Sequence, residues 1–446
     1  RRHQSRVCAL RFSVSPSLSV RHRRAPDAIL MGDSLLPTEN DVWYLLRSYY
    51  KRHSVVRHQL ESFNHFLTVL LPNIIKEVAE IRVAGAGTYE HVVTMCNVSI
   101  ERPTVTDADG TERSLDPHVA RLRSLTYASA VMVDVVHDIF DGGTHSERRL
   151  YRETCLCRIP VMLGCNACNT QYRENHHECQ LDPGGYFIVN GIEKVMTGIE
   201  KLHHNTPYVF AVKQPSRFAY QCEIRSVHEK KLRSTSSLYI YITNTKRGAT
   251  PQMIVELPFM TTTLPVFALF RLLGVSTRVE AMHLIMGTRD DADTRVLQSI
   301  LDNDPTADMS TAELYEHVGR EGTKETTSER RCRYIEHILN CEVLPHQGLT
   351  GDAEVRRAKT LILGIMVRKL MRVYAGKLGC DDRDHMATKR VDCAGTQFGL
   401  LFRQVLRMVQ KSVSMQLYKM AGDHEKLAFT NMGNLIAGKK LSLIHI

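Results

Sequence analysis

The sequence predicts an α+β protein of mixed helix and strand. Two amphipathic helical patterns stand near its start, short β-forming runs follow between residues 184 and 260, and helical periodicity dominates from Leu264 to Tyr374 and again after Gly399. At 446 residues, 43% hydrophobic and 24% charged, the chain can build two or three domains with sizeable cores. No apolar run approaches the roughly 18 residues of a membrane-spanning helix, so no membrane partner is expected.

Thr38, with Asp41 three residues on, reads as a helix N-cap, and Val42, Leu45, Leu46, Tyr49 and Tyr50 then recur at helical spacing. A second helix carries Leu60, Phe63, Leu67 and Leu70 and should break near Pro72. Both are amphipathic, so both are expected to pack on a common core. Residues 101–116 are polar, and Asp107 to Gly110 signals a turn, so this stretch reads as an exposed hairpin tip or loop. Strand-like runs extend from Gly185 to Val189, Tyr208 to Val212, Tyr220 to Ile224, Leu238 to Ile242 and Met253 to Leu257, with Asn190-Gly191 as a turn dipeptide. The connector from Lys230 to Ser237 is basic and Ser-rich and reads as a mobile hairpin loop. In the helical block, Leu361, Ile362, Ile365, Met366 and Met371 mark one expected buried face, while Asp302 to Ser310 and Gly348 to Asp352 read as loops. The last helix carries Phe402, Val405, Leu406, Val409 and Val413 on its apolar face, with Arg403, Arg407 and Lys411 as a basic stripe opposite.

The formal net charge is +10, but residues 1–30 hold seven arginines and one acid, a net +6, which leaves +4 for the other 416 residues. Nucleic-acid binding must therefore be argued from local patches. The leader's Arg- and Ser-rich, acid-poor composition suits an organelle transit peptide. We read it instead as a non-native or disordered leader from translated untranslated sequence, since the first methionine is Met31 and structured pattern begins soon after it. The twelve cysteines are too dispersed for a secreted disulfide scaffold, so a reducing compartment is the default.

Gly184-Gly185 precedes a strand, not a helix, and reads as a tight turn, not a phosphate cradle. Gly433 to Lys440 nearly spells a P-loop but places Lys440 where a magnesium-binding hydroxyl is required. Cys165 and Cys168, with His176, His177 and Cys179 close behind, are the right ligand types for tetrahedral zinc; the alternative is a set of buried or loop thiols. Asp381, Asp382 and Asp384 could gather a hard cation, but Arg383, Lys389 and Arg390 are interleaved, which favours an ion-pair network. Arg403, Arg407 and Lys411 rise about 6 Å per step along a helix, close to a phosphate repeat of roughly 7 Å in extended nucleic acid. They are candidate phosphate contacts, against the bland reading of a solvated face.

Eight segments in order carry a resemblance. They are Gln59 to Asn64, Arg121 to Tyr127, Ile159 to Leu163, Pro183 to Lys194, Glu223 to Ser226, Phe270 to Gly274, Leu344 to His346, and Asp381 to His385 with Lys389-Arg390. Together they resemble the second-largest, beta-type subunit of multisubunit DNA-directed RNA polymerases. Arg383 points to the archaeal, eukaryotic or large-DNA-virus branch of that family. Gly198-Ile199, Met386-Ala387-Thr388 and Cys393 depart from the usual family pattern and mark a divergent source.

The resemblance covers about Asp41 to Lys440 and implies an N-terminal fragment. It implies a protrusion over 31–205 and 376–440, with a β-plus-helical lobe inserted over 206–375, together lining the DNA cleft. Residues 441–446 fall outside it and resemble a translated sequencing-adapter end, so they are read as artefactual. Asp381, Asp382, Arg383, Asp384 and His385 would form a domain-junction network, and Lys389, Arg390, Arg403, Arg407 and Lys411 would contact DNA. The family's cysteines at positions like Cys168 and Cys179 commonly hold no metal. Its magnesium belongs to the largest subunit, so no cofactor is expected here and the fragment alone should be inactive. The implied partners are the largest and other polymerase subunits and DNA, and the implied home is the nucleus, or alternatively a viral factory or virion. The competing reading is a stand-alone nucleic-acid-binding or scaffold protein derived from such a subunit, with zinc at Cys165 and Cys168.

Overall fold

The structure, a computed structural model, describes residues 38–442 except 79, 86, 108, 173–177, 180, 229–230, 245–249, 288–291, 303, 307, 421, 423–426, 428–429 and 438–440. The chain separates into two compact units, Arg1–Ser54 and Val55–Ile446. Among the described residues no helix is long and apolar enough to cross a membrane.

In the first unit, α1 (Glu39–Arg52) starts at the expected cap. The Thr38 hydroxyl accepts from the Asp41 amide at 3.3 Å, and the Asp41 carboxylate accepts from the Thr38 amide at 2.9 Å. The Thr38 hydroxyl, 2.6 Å from that carboxylate, and then the Thr38 amide hold the Asp41 carboxyl below its ordinary range. None of the residues of α1 is buried, however, and Trp43, Tyr44 and Leu45 are more than half exposed. The apolar stripe that helical spacing lays out on α1 is thus exposed among the described residues.

The second unit opens with α2 (Arg57–His65), a π-turn over Phe66–Leu70, and α3 (Leu71–Val78). The helix does not break at Pro72 as expected. Pro72 has no N–H for the ladder, and the preceding turn widens so that the Leu71 amide bonds the Phe66 carbonyl. Next come β1 (Ile81–Ala84), β2 (Tyr89–Ile100), the hairpin β3 (Thr104–Thr106) and β4 (Glu112–Ser114), α4 (Pro117–Leu122), β5 (Ala128–Asp141) and β6 (Thr144–Pro160). Of the two forms expected of the polar stretch at 101–116, a hairpin tip or a loop, it takes the hairpin. β1, β2, β5 and β6 form an antiparallel sheet, and β16 (Leu441–Ser442) adds to β6 in parallel. Inside it, His91 Nδ1 lies 3.0 Å from His137 Nε2, both rings buried. β7 (Phe187–Val189) and β8 (Ile192–Lys194) close around Asn190-Gly191, whose φ values of 53° and 77° suit a tight hairpin turn. A side chain on Gly184 would place its Cβ 2.5 Å from the Leu163 carbonyl oxygen, so the Gly184-Gly185 pair is a close-packed turn.

Beyond β9 (Ile199–Leu202) the chain builds a second core. β10 (Tyr208–Ala211), β11 (Phe218–Ser226), β12 (Ser236–Thr243), β13 (Met253–Glu256) and β14 (Thr263–Pro265) form an antiparallel meander in sequence order. Alternate residues Leu238, Ile240 and Ile242 point to the core. Against them pack residues of α5 (Val266–Leu272), α6 (Arg278–Met286), α7 (Ala292–Asp302), α8 (Thr311–Gly322), α9 (Ser328–His337) and α10 (Ala353–Tyr374). The buried face of α10 is Leu363, Met366, Val367, Leu370 and Met371, while Leu361 and Ile365 are 46% and 52% exposed, which corrects the expected face. At Gly364, α10 approaches α6 so closely that a Cβ would lie 2.7 Å from the Leu284 carbonyl oxygen. Nearby, the buried Lys359 donates to the Leu339 and Asn340 carbonyls at 2.8 and 2.7 Å, and burial pushes its pKa down to about 8.

The chain then returns. β15 (Lys389–Asp392) pairs antiparallel with β9, and α11 (Ala394–Met420) and α12 (Met432–Ala437) join the first core. Phe398 lies 5.6 Å from Phe63 and 5.1 Å from Phe187, ring centre to ring centre, so α2, β7 and α11 meet although they are far apart in sequence. The connector expected to be a mobile loop is anchored where it is described. Leu232 packs on the first core in the notch left by Gly399, and Arg233 reaches the Cys341 carbonyl and Glu342. Lys230 lies outside the described residues.

Candidate functional site

The run from Asp381 to His385 lies where the chain leaves the second core. Asp381 docks on β10 twice, through its amide to the Val209 carbonyl at 2.9 Å and through Oδ2, which accepts from the Val209 amide at 2.7 Å. The same oxygen accepts from Lys369 Nζ at 2.7 Å. Arg383 places its guanidinium 4.1 Å from the centre of the Phe210 ring and donates to Glu223 Oε2 at 3.2 Å. Glu223 has only 3% of its side chain exposed, and Arg225 stands 3.6 Å from its other oxygen. Asp382 Oδ1 accepts from the Asp384 amide, and His385 Nδ1 accepts from the Ala387 amide, so both side chains shape the turn. Lys389 pairs with Glu200 and stands 3.8 Å from Asp384, while Lys201 pairs with Asp392 across the same two-stranded ladder. The carboxylates are thus engaged one by one, and no group of three or more metal-ligating side chains converges among the described residues.

The first turn of α11 is held by α2. Gln59 Oε1 accepts from the Ala394 amide at 2.9 Å, and Ser62 Oγ accepts from the Gly395 amide at 3.1 Å. These amides have no partner inside the helix, so the early Gln59 to Asn64 segment supplies what the later helix lacks. Asn64 Oδ1 similarly accepts from the Asn166 amide at 2.9 Å. Sequence reading did not assign these roles, because nothing local in Gln59 or Ser62 points to a helix start more than 330 residues away.

The basic stripe on α11 is corrected at its first member. Arg403 has 5% of its side chain exposed and pairs with Glu77 of α3, and burial pushes its guanidinium below its ordinary range. Arg407 and Lys411 remain exposed, as does Arg390, which donates to the Ala387 and Lys389 carbonyls. Equal helical spacing did not give equal exposure, because the N-terminal half of α11 is enclosed by α2, α3 and Leu232.

Cys165 and Cys168 are fully buried, and burial pushes the Cys165 thiol up to about 12. Cys168 Sγ lies 3.4 Å from the hydroxyl of the buried Tyr127, which accepts from the Asn169 amide at 2.9 Å. Cys179 is exposed, and His176 and His177 lie outside the described residues. Gly433 sits within α12 beside Thr154 and opens no anion cradle; Gly438, Lys439 and Lys440 lie outside the described residues.

Two cores, the first interrupted and then completed by a helix capped from α2, set the frame for comparison with known proteins. Residues 54–438 match the RNA polymerase beta subunit family, and the chain belongs to that family. It is 30% identical over 437 residues to DNA-directed RNA polymerase II subunit 2 of Arabidopsis thaliana, across 91% of this chain and 36% of that protein. It is 28% identical to DNA-directed RNA polymerase III subunit RPC2 of Schizosaccharomyces pombe, across 86% of this chain and 32% of the relative. With DNA-directed RNA polymerase subunit Rpo2N of Methanococcus vannielii it shares 28% identity, across 84% of this chain and 74% of the archaeal one. The chain thus spans about a third of the length of the eukaryotic relatives it matches, 36% of the Arabidopsis protein.

Proposed function

We propose that this chain serves as the N-terminal portion of the second-largest subunit of a DNA-directed RNA polymerase. In this reading the first core is the protrusion, the second is the inserted lobe, and together they line one side of the DNA cleft. The observation that carries it is the run Asp381 to Lys389. It is a family landmark in the sequence, and its side chains clamp β10, β11 and α10 where the chain crosses back to the first core. The parent enzyme extends RNA on a DNA template with two-metal chemistry whose magnesium is held by the largest subunit. This portion supplies shape and charge, and by itself makes no RNA. Arg407, Lys411 and Arg390 would touch phosphates, positioning DNA without reading bases. The eukaryotic polymerase II relatives favour a nuclear home.

The test is recovery of the tagged protein from its own source under native conditions. The largest polymerase subunit should accompany it stoichiometrically, and the recovered complex should incorporate ribonucleotides on a DNA template. Recovery of the protein free of every polymerase subunit would overturn the proposal.

A further inference from the structure

The outer edge of α10 is left uncovered. At the roughly 100° per residue of an α-helix, Glu354, Arg357, Leu361, Ile365, Arg368 and Arg372 fall within an arc of about 80°. All six are exposed. Among the described residues Arg357, Arg368 and Arg372 form no ion pair. The opposite face is immobilised by Leu363, Met366, Val367 and Leu370, and by the close crossing with α6 at Gly364. The edge from Arg357 to Arg372 is therefore a preformed rod about 22 Å long, at about 1.5 Å per residue.

Single exposed apolar residues are ordinary on a protein surface. Here Leu361 and Ile365 adjoin one another at i,i+4, and unpaired arginines stand at both ends of the pair. Cations toward a helix C-terminus are favourable in their own right, but that does not account for two aliphatic side chains left in water between them. We propose that this edge docks an acidic amphipathic helix of a partner protein. The apolar stripe of the partner would cover Leu361 and Ile365, and its carboxylates would reach Arg357, Arg368 and Arg372. A nucleic-acid backbone fits less well, because the centre of the edge offers it two aliphatic side chains where phosphates need donors. The proposal goes beyond the polymerase reading and does not rest on it.

The full chain is titrated by fluorescence anisotropy with a labelled synthetic helix bearing leucines on one face and flanking glutamates. A scrambled peptide of equal composition and a short labelled DNA duplex serve as the other probes. The amphipathic helix should bind at least about tenfold more tightly than the scrambled peptide, the scale of one buried anchor. Leu361→Glu with Ile365→Glu should remove that preference, and Arg368→Glu with Arg372→Glu should weaken binding and its salt dependence. Both pairs are exposed, so the melting temperature should not change, and Leu361→Ser with Ile365→Ser provides a milder version. Equal binding of the scrambled peptide, or undiminished binding by the Leu361 and Ile365 variants, would overturn the proposal. So would duplex binding that is lost only in the arginine variants, which would make the edge a nucleic-acid contact.

Discussion

Arg383 works in two directions, with its guanidinium over the Phe210 ring and one nitrogen on the carboxylate of Glu223. Glu223 is buried; without Arg383 its Oε2 keeps only the neutral donor Gln221 Nε2 at 3.3 Å, and Arg225 at 3.6 Å is too distant to replace the lost charged hydrogen bond. Arg383→Ala should therefore cost about 1–3 kcal/mol, the range for stripping a partner from a buried polar group. Urea titration of the full chain measures this, and a loss under about 0.5 kcal/mol, the scale of a neutral surface change, would show that Gln221 and Arg225 suffice. A second residue-scale device is the buried histidine pair of the first sheet. Burial, then the neighbouring His91 and Arg149, push His137 down to about 4, while Asp138 and Glu147 oppose the shift. Unfolded histidine takes up its proton near 6.5. Between about pH 6.5 and about pH 4 the unfolded chain thus binds more protons than the folded one, so stability falls as pH falls through that window. Thermal melts across it should decline, and His137→Leu should flatten the decline; an unchanged slope would place the pH sensitivity elsewhere.

At the scale of elements, close helix crossings decide more than propensity does. Gly364 is mid-helix, where alanine would ordinarily be favoured by about 1 kcal/mol. Its Cβ would meet the backbone oxygen of Leu284 at 2.7 Å, and backbone cannot swing aside as a side-chain tip can. Overpacking of about 1–3 kcal/mol should win, so Gly364→Ala should lower the denaturation midpoint. A raised midpoint would mean that α6 can step back. α11 shows the same dependence on neighbours: Gln59 and Ser62 satisfy its first amides, and Glu77 neutralises Arg403 within its buried half.

For the whole molecule, the DNA-cleft reading leaves two of the three α11 cations available. Replacing Arg407 and Lys411 with alanine in the assembled polymerase should reduce the slope of log affinity against log salt by at most about 1.8, at 0.9 per phosphate contact. Sequence preference should not change, since such contacts carry no base information. A slope equal to that of the wild type would assign both residues to a solvated face.

Much of the second core was legible in the sequence. Its strand runs, such as Leu238 to Ile242 within β12, alternate cleanly because one face of a meander is buried. The α+β class and the polymerase family were also legible, the family from eight short segments in order. The first sheet was not read. Its long strands carry register shifts between Cys96 and Ser99, and between Val131 and Met132, that interrupt the two-residue period. The outward-facing half of β6 also lacks an apolar rhythm. For the candidate site, the sequence named Asp381 to His385, Arg407 and Lys411, but could not foresee that Arg403 is buried or that Leu361 and Ile365 are exposed. Periodicity states which residues share a helix face. Only the tertiary structure states what lies opposite that face, because Gly364, Gly399 and Glu77 act through contacts between segments distant in the chain.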